Sequence, residues 1–381
     1  MAEGAAPAAA PWANLRVVLV HDWLTGMRGG EKVLEAICRL FPSADLLTLV
    51  HNRRSVSAPI ESRRIRTSVI QRLPQAHRRY RQYLPLFPFA VEQFDLDEAD
   101  LVISTSSCAA KSVVPTGRAR HLCYCHSPMR YAWDQFDAYF GPARVGRLPS
   151  ALARVTLAAL ARWDRDTAHR VDRYVANSSY VAARIARYYN RQATVVHPPV
   201  DTVFFTPDGA PPASYFLVVS ALVPYKRIDI AVDAANRLGV PLKVVGSGPD
   251  DERLRAQAGP TVEFLGPIEG DALRDLYRRA RAVLLPGEED FGIVPVEAMA
   301  CGRPVIALGR GGATETVKAG VTGVLVAEAG VEAFADAMRG FDPSAFDPAA
   351  IRAHAETFGA DRFDAAFRAA VSGVLSAEAA C

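Results

Sequence analysis

The sequence predicts an α/β protein built from two doubly wound domains, each a parallel sheet covered by helices. Short apolar runs alternate with segments of helical length, which is the pattern of β-α-β units. This alternation begins near residue 15 and begins again near residue 215. Between the two series lies a cluster of five prolines, Pro198, Pro199, Pro207, Pro211 and Pro212, as expected at a domain boundary.

The first series contains five runs of strand length. Residues 15–20 form a continuous apolar run rich in β-branched side chains, which predicts a strand buried on both faces. Four more runs follow, at residues 45–49, 101–104, 121–125 and 173–176. Helical patterns separate several of them, at about residues 31–40, 150–170 and 180–189.

The second series contains six such runs, at residues 215–220, 242–246, 262–265, 282–285, 304–307 and 323–326. Helical segments at residues 228–238 and 271–281 lie between them, and residues 350–379 also have a helical pattern. We therefore predict four parts. These are a flexible tail at residues 1–14, an N-terminal domain at 15–200, a C-terminal domain at 201–350, and a helical segment at 351–381 that packs back towards the N-terminal domain.

Composition and charge limit the class of protein. Half of the 381 residues are hydrophobic, enough for two cores, and the net charge of +3 gives no sign of nucleic-acid binding. The six cysteines lack metal-ligand spacing, which favours reduced, buried thiols. The first fourteen residues lack the basic start and apolar core expected of a secretion signal, and no apolar run nears the ~20 residues that span a bilayer. We expect a cytoplasmic protein, either free or peripheral on the inner face of the cell membrane.

The most informative stretch is residues 282–305, where a strand, an acidic loop and a helix follow one another. The loop reads G-E-E-D-F-G, and the helix beginning near Ile293 has Pro295 in its first turn, where a missing N–H costs nothing. A helix N-terminus offers free N–H groups and a partial positive charge, which suit a diphosphate. Glu289 lies before this helix and Glu297 about one turn inside it. An acidic turn that only favours the helix dipole is the alternative.

This stretch, E-D-F-G-I-V-P-V-E followed by A-M-A-C-G-R-P-V, resembles the E-x7-E motif of glycosyltransferase family 4. That family retains the anomeric configuration and has the GT-B fold, in which two Rossmann-like domains face a cleft. The resemblance extends over about residues 15–370. It implies that Glu289 acts near the donor sugar and that Glu297 binds the ribose. It also adds three residues to the donor-binding set: Phe291, Gly292 and Ile293.

A second phosphate-binding candidate is the segment S-A-L-V-P-Y-K-R-I-D at residues 220–229, between a strand and a helix. Lys226 is placed to hold a phosphate as a compact positive charge. Family 4 enzymes often carry an arginine a few residues before this lysine, but Ala221 stands there. Either Lys226 acts with Arg227, or another group such as the helix start replaces the arginine. A solvated Lys-Arg pair is the alternative.

Glycines follow several strands. Gly29 and Gly30, in H-D-W-L-T-G-M-R-G-G-E, allow a close backbone approach to a phosphate, and the resemblance implies that their loop faces the diphosphate and the acceptor. Gly246 and Gly248 are expected to line the nucleotide pocket. The dinucleotide fingerprint is absent, so we expect no cofactor beyond the nucleotide-sugar substrate. Glu315, in G-R-G-G-A-T-E-T, resembles a family segment and is predicted to cap or close the domain.

The segment H-S-P-M-R-Y-A-W-D begins with His126, at the end of a predicted strand. It resembles a subgroup of family 4 that builds bacterial surface polysaccharides, including many mannosyltransferases. The resemblance implies that His126 contacts the donor sugar. We expect Arg130, Trp133 and Asp134 to bind the acceptor sugar or its phosphate. A structural histidine is the alternative.

Residues 62–91 contain seven arginines and no Asp or Glu, with aromatic and apolar side chains interleaved. The arginine cluster from Arg63 to Arg81 suits an anionic membrane surface or a lipid-diphosphate acceptor. A basic helix with its apolar side in the core is the alternative, and an RNA-binding surface is a third.

Two D-x-D patterns, Asp95-Leu-Asp97 and Asp164-Arg-Asp166, are interpreted as surface charges, and no metal site is expected. Together these features predict a retaining glycosyltransferase that acts by same-face attack. Resemblance alone favours GDP-mannose as donor and a glycan, or a polyprenyl-diphosphate-linked glycan, as acceptor. The alternatives are a nucleotide-sugar epimerase, a sugar phosphorylase, and a non-catalytic protein that binds nucleotide-sugar or lipid.

Overall fold

The computed structural model of the protein describes residues 12–376, apart from the side chain of Ala138. It contains a seven-stranded and a six-stranded sheet, and every strand pairing within them is parallel. The predicted pair of doubly wound α/β domains is therefore confirmed. The first sheet ends at Val195 and the second begins at Phe216, on either side of the proline cluster.

The strands of the first sheet have the order β3-β2-β1-β4-β5-β6-β7. Their bounds are β1 Val17–His21, β2 Asp45–Thr48, β3 Ile65–Thr67, β4 Leu101–Ser106, β5 Arg120–Cys125, β6 Arg173–Ala176 and β7 Ala193–Val195. The sequence did not predict β3 and β7, because these edge strands have only three residues each and no buried apolar run. Strand β4, by contrast, is buried along its whole length.

The strands of the second sheet have the order β10-β9-β8-β11-β12-β13. Their bounds are β8 Phe216–Val219, β9 Leu242–Val245, β10 Val262–Gly266, β11 Ala282–Leu285, β12 Val305–Leu308 and β13 Gly323–Val326. In doubly wound sheets, ligands bind beyond the carboxyl ends of the strands where the strand order reverses. These points lie between β1 and β4 and between β8 and β11.

Helices cover the sheets. Those before the proline cluster are α1 Gly29–Leu40, α2 Ala58–Glu61, α3 Ala76–Arg79, α4 Phe87–Glu92, α5 Arg130–Trp133, α6 Phe136–Phe140, α7 Pro142–Val145, α8 Arg147–Asp166 and α9 Ser179–Tyr189. Those after it are α10 Ile228–Leu238, α11 Asp251–Gln257, α12 Gly270–Arg279, α13 Ile293–Ala300, α14 Ala313–Thr316, α15 Val331–Arg339, α16 Pro348–Glu356 and α17 Ala360–Leu375. Among the residues described, no helix is both long and apolar enough to cross a bilayer.

The two ends of the described chain both pack on the N-terminal domain. The C-terminal segment is not one helix but two, because the chain turns between α16 and α17 and Val200 pairs with this turn. Helix α17 buries Phe363 and Phe367 beside Tyr124 of β5. Of the predicted tail, residues 1–11 lie outside the described part, whereas Trp12 is buried against Phe41.

The prediction that both D-x-D patterns are surface charges was wrong for Asp164. Its carboxylate is fully buried, 3.0 Å from the ammonium of Lys111, and accepts hydrogen bonds from Trp133 and Tyr189 at 2.8 Å. Asp164 follows the buried Leu160 by four residues, so it lies on the inner face of α8. Its charge is tolerated there because Lys111, distant in sequence, is buried with it.

Removal of this buried charge is expected to destabilise the fold. Asp164→Ala leaves the Lys111 ammonium buried without its counter-charge, which should lower the free energy of unfolding by about 3–5 kcal/mol. Asp166→Ala, on the exposed side of the same helix, should change it by less than about 0.5 kcal/mol. Equilibrium urea unfolding of the two variants measures the difference. Equal losses would contradict the structural role of Asp164.

Candidate active site

Two helix N-termini meet in the cleft between the domains. Helix α1 follows β1 and begins at Gly29, and helix α13 follows β11 and begins at Ile293. A Cβ atom on Gly29 would lie 3.1 Å from Ile293 Cδ1, and one on Gly30 would lie 3.4 Å from His126 Nε2. The structure thus brings together four residues predicted from three separate segments. Both helix ends carry free N–H groups and a partial positive charge.

Lys226 lies in this cleft and forms an ion pair with Glu289, and both side chains are mostly buried. Burial opposes the charge of the lysine, but Glu289 and Tyr225 outweigh it and raise its pKa above the usual value. The ammonium therefore remains charged at neutral pH. The neighbouring Arg227 has a positive φ of 51° and pairs with Asp229 instead, 3.1 Å away. These two cations, adjacent in sequence, thus have different carboxylate partners.

Glu297 lies on the buried side of α13 and contacts both domains. Its Oε1 atom is 2.6 Å from the ammonium of Lys32 on α1, and its Oε2 atom accepts a hydrogen bond from the Tyr277 hydroxyl at 2.9 Å. Sequence reasoning missed both partners. The only signal for Lys32 was its place two residues after the glycine pair, and Tyr277 had none.

His126 directly follows β5 and is held by its backbone carbonyl, which accepts a hydrogen bond from Asn177. Burial, together with the smaller effects of His21 and Arg130, lowers the pKa of the imidazole to about 3. The ring is therefore neutral at pH 7. Its Nε2 atom has no hydrogen-bond partner among the described residues, so a ligand that enters beside Gly30 can supply one.

The domains are joined by Asp290, which follows Glu289 in the acidic loop. Its buried carboxylate binds Arg184 at 3.0 Å and Arg130, both from the N-terminal domain. Arg130 also donates to the Tyr225 hydroxyl at 2.9 Å. Sequence reasoning missed Asp290 and Arg184, because no local pattern marks a pairing between residues so far apart.

The other predicted acceptor residues are engaged by neighbours. The Trp133 indole donates to Asp164 and stacks on Tyr188 with ring centroids 4.6 Å apart. The Asp134 carboxylate binds Arg184 and the Tyr188 hydroxyl. A cavity of about 160 Å³ lies beside Glu289. The other residues that line it are Arg130, Asp134, Gln135, Tyr180, Arg184, Glu288 and Asp290.

Glycines allow the second-domain loops to pack closely. A Cβ atom on Gly246 would lie 1.8 Å from the Ser220 carbonyl oxygen, and one on Gly248 would lie 2.2 Å from that of Leu222. These glycines therefore support the loop that carries Lys226. Gly292 has a φ of 91° at the start of α13, a conformation that favours glycine.

Phe291 and Glu315 of the C-terminal domain contact residues of the N-terminal domain. Phe291 is buried and stacks on His197, with ring centroids 5.3 Å apart. The Glu315 carboxylate accepts hydrogen bonds from the backbone N–H groups of Ser179 and Tyr180 at 2.9 and 3.0 Å. It therefore caps α9 of the opposite domain. Burial opposes its charge, but His197 and these N–H groups lower its pKa below the usual value.

Within residues 12–376, no three or more His, Cys, Asp or Glu side chains form a group that could hold a metal ion.

Two family profiles match the chain, one on each domain. The profile described as Glycosyltransferase Family 4 matches residues 27–204, and the profile described as Glycosyl transferases group 1 matches residues 213–341. Curated relatives include the D-inositol 3-phosphate glycosyltransferase of Mycolicibacterium gilvum, 32% identical over 51% of this chain and 50% of the relative. That of Kribbella flavida is 33% identical over 44% of this chain and 47% of the relative. The chain thus spans about half the length of these relatives.

Solved structures are similar over almost the whole chain. HepE of Anabaena, in complex with UDP, has a TM-score of 0.70 at 19% identity and covers 94% of this chain and 100% of its own. Sucrose-phosphate synthase from Thermosynechococcus elongatus has a TM-score of 0.64 at 19% identity, with 95% and 98% coverage. At these identities the likeness shows the fold, which is GT-B. With both profiles matched, the chain belongs to glycosyltransferase family 4.

Proposed function

We propose that the protein transfers a sugar from a nucleotide-sugar to an acceptor hydroxyl with retention of the anomeric configuration. One observation carries the proposal. Glu289, paired with Lys226, lies just before the N-terminus of α13 and Glu297 one turn inside it, where α13 meets the N-terminus of α1. An anionic diphosphate fits between these two positive helix ends, with a carboxylate on each side for the hydroxyl groups of the sugar and the ribose.

In this proposal the C-terminal domain holds most of the donor. The diphosphate lies beside Lys226 and the helix ends, and the ribose hydroxyls donate to Glu297. The donor sugar lies between Glu289 and His126. Since His126 is neutral at pH 7, its free ring nitrogen exchanges a hydrogen bond with a sugar hydroxyl rather than an ion pair with a phosphate. The acceptor enters from the cavity lined by Arg130 and Asp134.

The chemical step breaks the bond between the anomeric carbon and the diphosphate oxygen, and the acceptor oxygen bonds to the same face of that carbon. The acceptor proton goes to the departing phosphate oxygen. Charge develops on the diphosphate, and fixed positive groups that oppose it contribute most to the rate. Lys226 and the two helix ends supply that positive charge, so we propose that no metal ion is needed. Closure of the domains excludes water.

The donor and acceptor are narrower proposals. The resemblance of the H-S-P-M-R-Y-A-W-D segment favours GDP-mannose and a glycan or polyprenyl-diphosphate-linked glycan in surface polysaccharide synthesis. The HepE structures with UDP and UDP-glucose make uridine nucleotides the first competitor. The names of the curated relatives add D-inositol 3-phosphate as a competing acceptor. An epimerase would convert the nucleotide-sugar without an acceptor, and a binding protein would leave it unchanged.

Screening by thermal shift and hydrolysis against GDP-, UDP- and ADP-sugars tests the proposal. One nucleotide-sugar should stabilise the protein and release free sugar slowly. Lys226→Met should lower kcat/KM by about 10²–10³-fold, because it removes the charge opposite the leaving group. Lys243→Met, whose ammonium pairs with Glu263 across two strands, serves as the matched control. Absence of any nucleotide response, or equal rates for the two variants, would contradict the proposed function.

We also propose that the N-terminal domain docks on an anionic membrane surface. Arg72, Arg78, Arg79 and Arg81 are exposed, whereas Tyr80 and Phe87 pack in the core. Seven of the ten exposed large hydrophobic side chains in the described part fall within residues 69–89 or 145–155, namely Val69, Leu86, Phe89, Val145, Leu148, Leu152 and Val155. Ile70, Tyr80 and Phe87 of the first segment share one core cluster with Leu157 and Leu160, which follow the second segment on α8. Exposed apolar side chains beside arginines suit lipid headgroups.

Charge reversal tests this docking. Arg78→Glu, Arg79→Glu and Arg81→Glu together should weaken cosedimentation with anionic vesicles by tenfold or more, since each arginine contributes about 1 kcal/mol near such a surface. Arg237→Glu and Arg339→Glu together, at exposed positions of the C-terminal domain, serve as the control. Undiminished binding of the triple variant would exclude the arginine cluster as the docking surface.

A further inference from the structure

Lys32 is the one residue of the N-terminal domain whose side chain reaches the proposed ribose-binding carboxylate, among the described contacts. It lies on α1, two residues after Gly30, and its ammonium is 2.6 Å from Glu297 Oε1. We propose that Lys32 is a donor-positioning residue: it stays on Glu297 when the donor binds and also contacts the phosphate next to the ribose. The inference rests on the proposed function and deepens it.

The two carboxylate oxygens of Glu297 have different surroundings. Oε2 is held by the hydroxyl of Tyr277, which is fully buried, so that side of the carboxylate faces the core. Oε1 faces Lys32, whose side chain is 44% exposed, whereas that of Glu297 is only 4% exposed. The ammonium therefore lies between the carboxylate and the open cleft. A ribose that reaches Glu297 must bind on the Oε1 side, next to Lys32.

Charge balance indicates that Lys32 stays when the donor arrives. A buried carboxylate needs a counter-charge, and ribose hydroxyls are neutral. If the Lys32 ammonium moved away from Glu297, the carboxylate would keep only hydroxyl partners. A carboxylate oxygen accepts more than one hydrogen bond, so a ribose hydroxyl and the ammonium can share Oε1. The pair is thus part of the donor site and not a block to it.

The position of the ammonium also suits a phosphate. An ammonium has three N–H donors, and within residues 12–376 Lys32 donates to Glu297 alone. The N-terminus of α1 lies one turn away, beside Ile293 of α13. Lys226 approaches from the C-terminal domain and Lys32 from the N-terminal domain. The donor site is then complete only when the domains are closed.

Affinity measurements test this role. The screening described above identifies the donor and therefore its nucleoside diphosphate. Isothermal titration with that nucleoside diphosphate gives the Kd of wild type, Lys32→Met and Lys32→Arg. Lys32→Met should raise Kd by about 10–100-fold, the loss expected for a hydrogen bond to a charged group. Lys32→Arg should recover most of the affinity. The donor KM should rise in parallel, with kcat at saturating donor changed by less than about threefold.

Arg39→Met, at the far end of α1, is the matched control, because its side chain is exposed and pairs with Glu35. Thermal unfolding confirms that each variant is folded, and Lys32→Gln replaces Lys32→Met if the latter is not. An unchanged Kd in the lysine variants would overturn the inference while the proposed function stands. Tighter binding would also overturn it, since Lys32 would then block the site. Failure of wild type to bind any nucleotide would overturn both.

Discussion

The carboxylate of Asp290 projects from the C-terminal domain into two guanidinium groups of the N-terminal domain. Arg130 and Arg184 are fixed in turn by Tyr225 and Asp134. Because Asp290 is buried among these groups, water cannot reach the charges one at a time. The domains can separate only if the whole network of ion pairs and hydrogen bonds opens together. Removal of one partner leaves an uncompensated buried charge, which costs about 3–5 kcal/mol. This ion pairing fixes the position of the adjacent Glu289 and Phe291 relative to the opposite domain.

Three other carboxylates of the cleft also have partners that hold them in place. Glu289 is paired with Lys226 inside one domain, and Glu297 is paired with Lys32 across the two. Glu315 uses its charge to cap α9 of the opposite domain. Glu289, Glu297 and Glu315 thus each have a cationic or N–H partner before any ligand arrives. A diphosphate adds negative charge to a site whose helix ends and ammonium groups are already oriented, so little reorganisation accompanies binding.

The sequence could predict the parts that local patterns mark. Buried parallel strands produce continuous apolar runs, so all but the edge strands β3 and β7 were predicted. Glu289, Glu297, Lys226 and the glycine pair could be named as candidates because a strand, a loop and a helix start follow one another there. Pairings between distant residues leave no such pattern: Lys32 and Glu297 are 265 residues apart, and Arg184 and Asp290 are 106 apart. For the same reason Asp164 could not be recognised as buried without its partner Lys111.

The central claim is that the donor site is assembled from both domains and held by Asp290. The most direct measurement is the affinity of Asp290→Asn for the nucleoside diphosphate, by isothermal titration. The substitution keeps the shape of the side chain and removes the charge that binds Arg130 and Arg184. If closure assembles the site, the dissociation constant should rise by about tenfold or more although Asp290 itself does not touch the donor. An affinity equal to that of wild type would show that the C-terminal domain binds the nucleotide alone, and would contradict the claim.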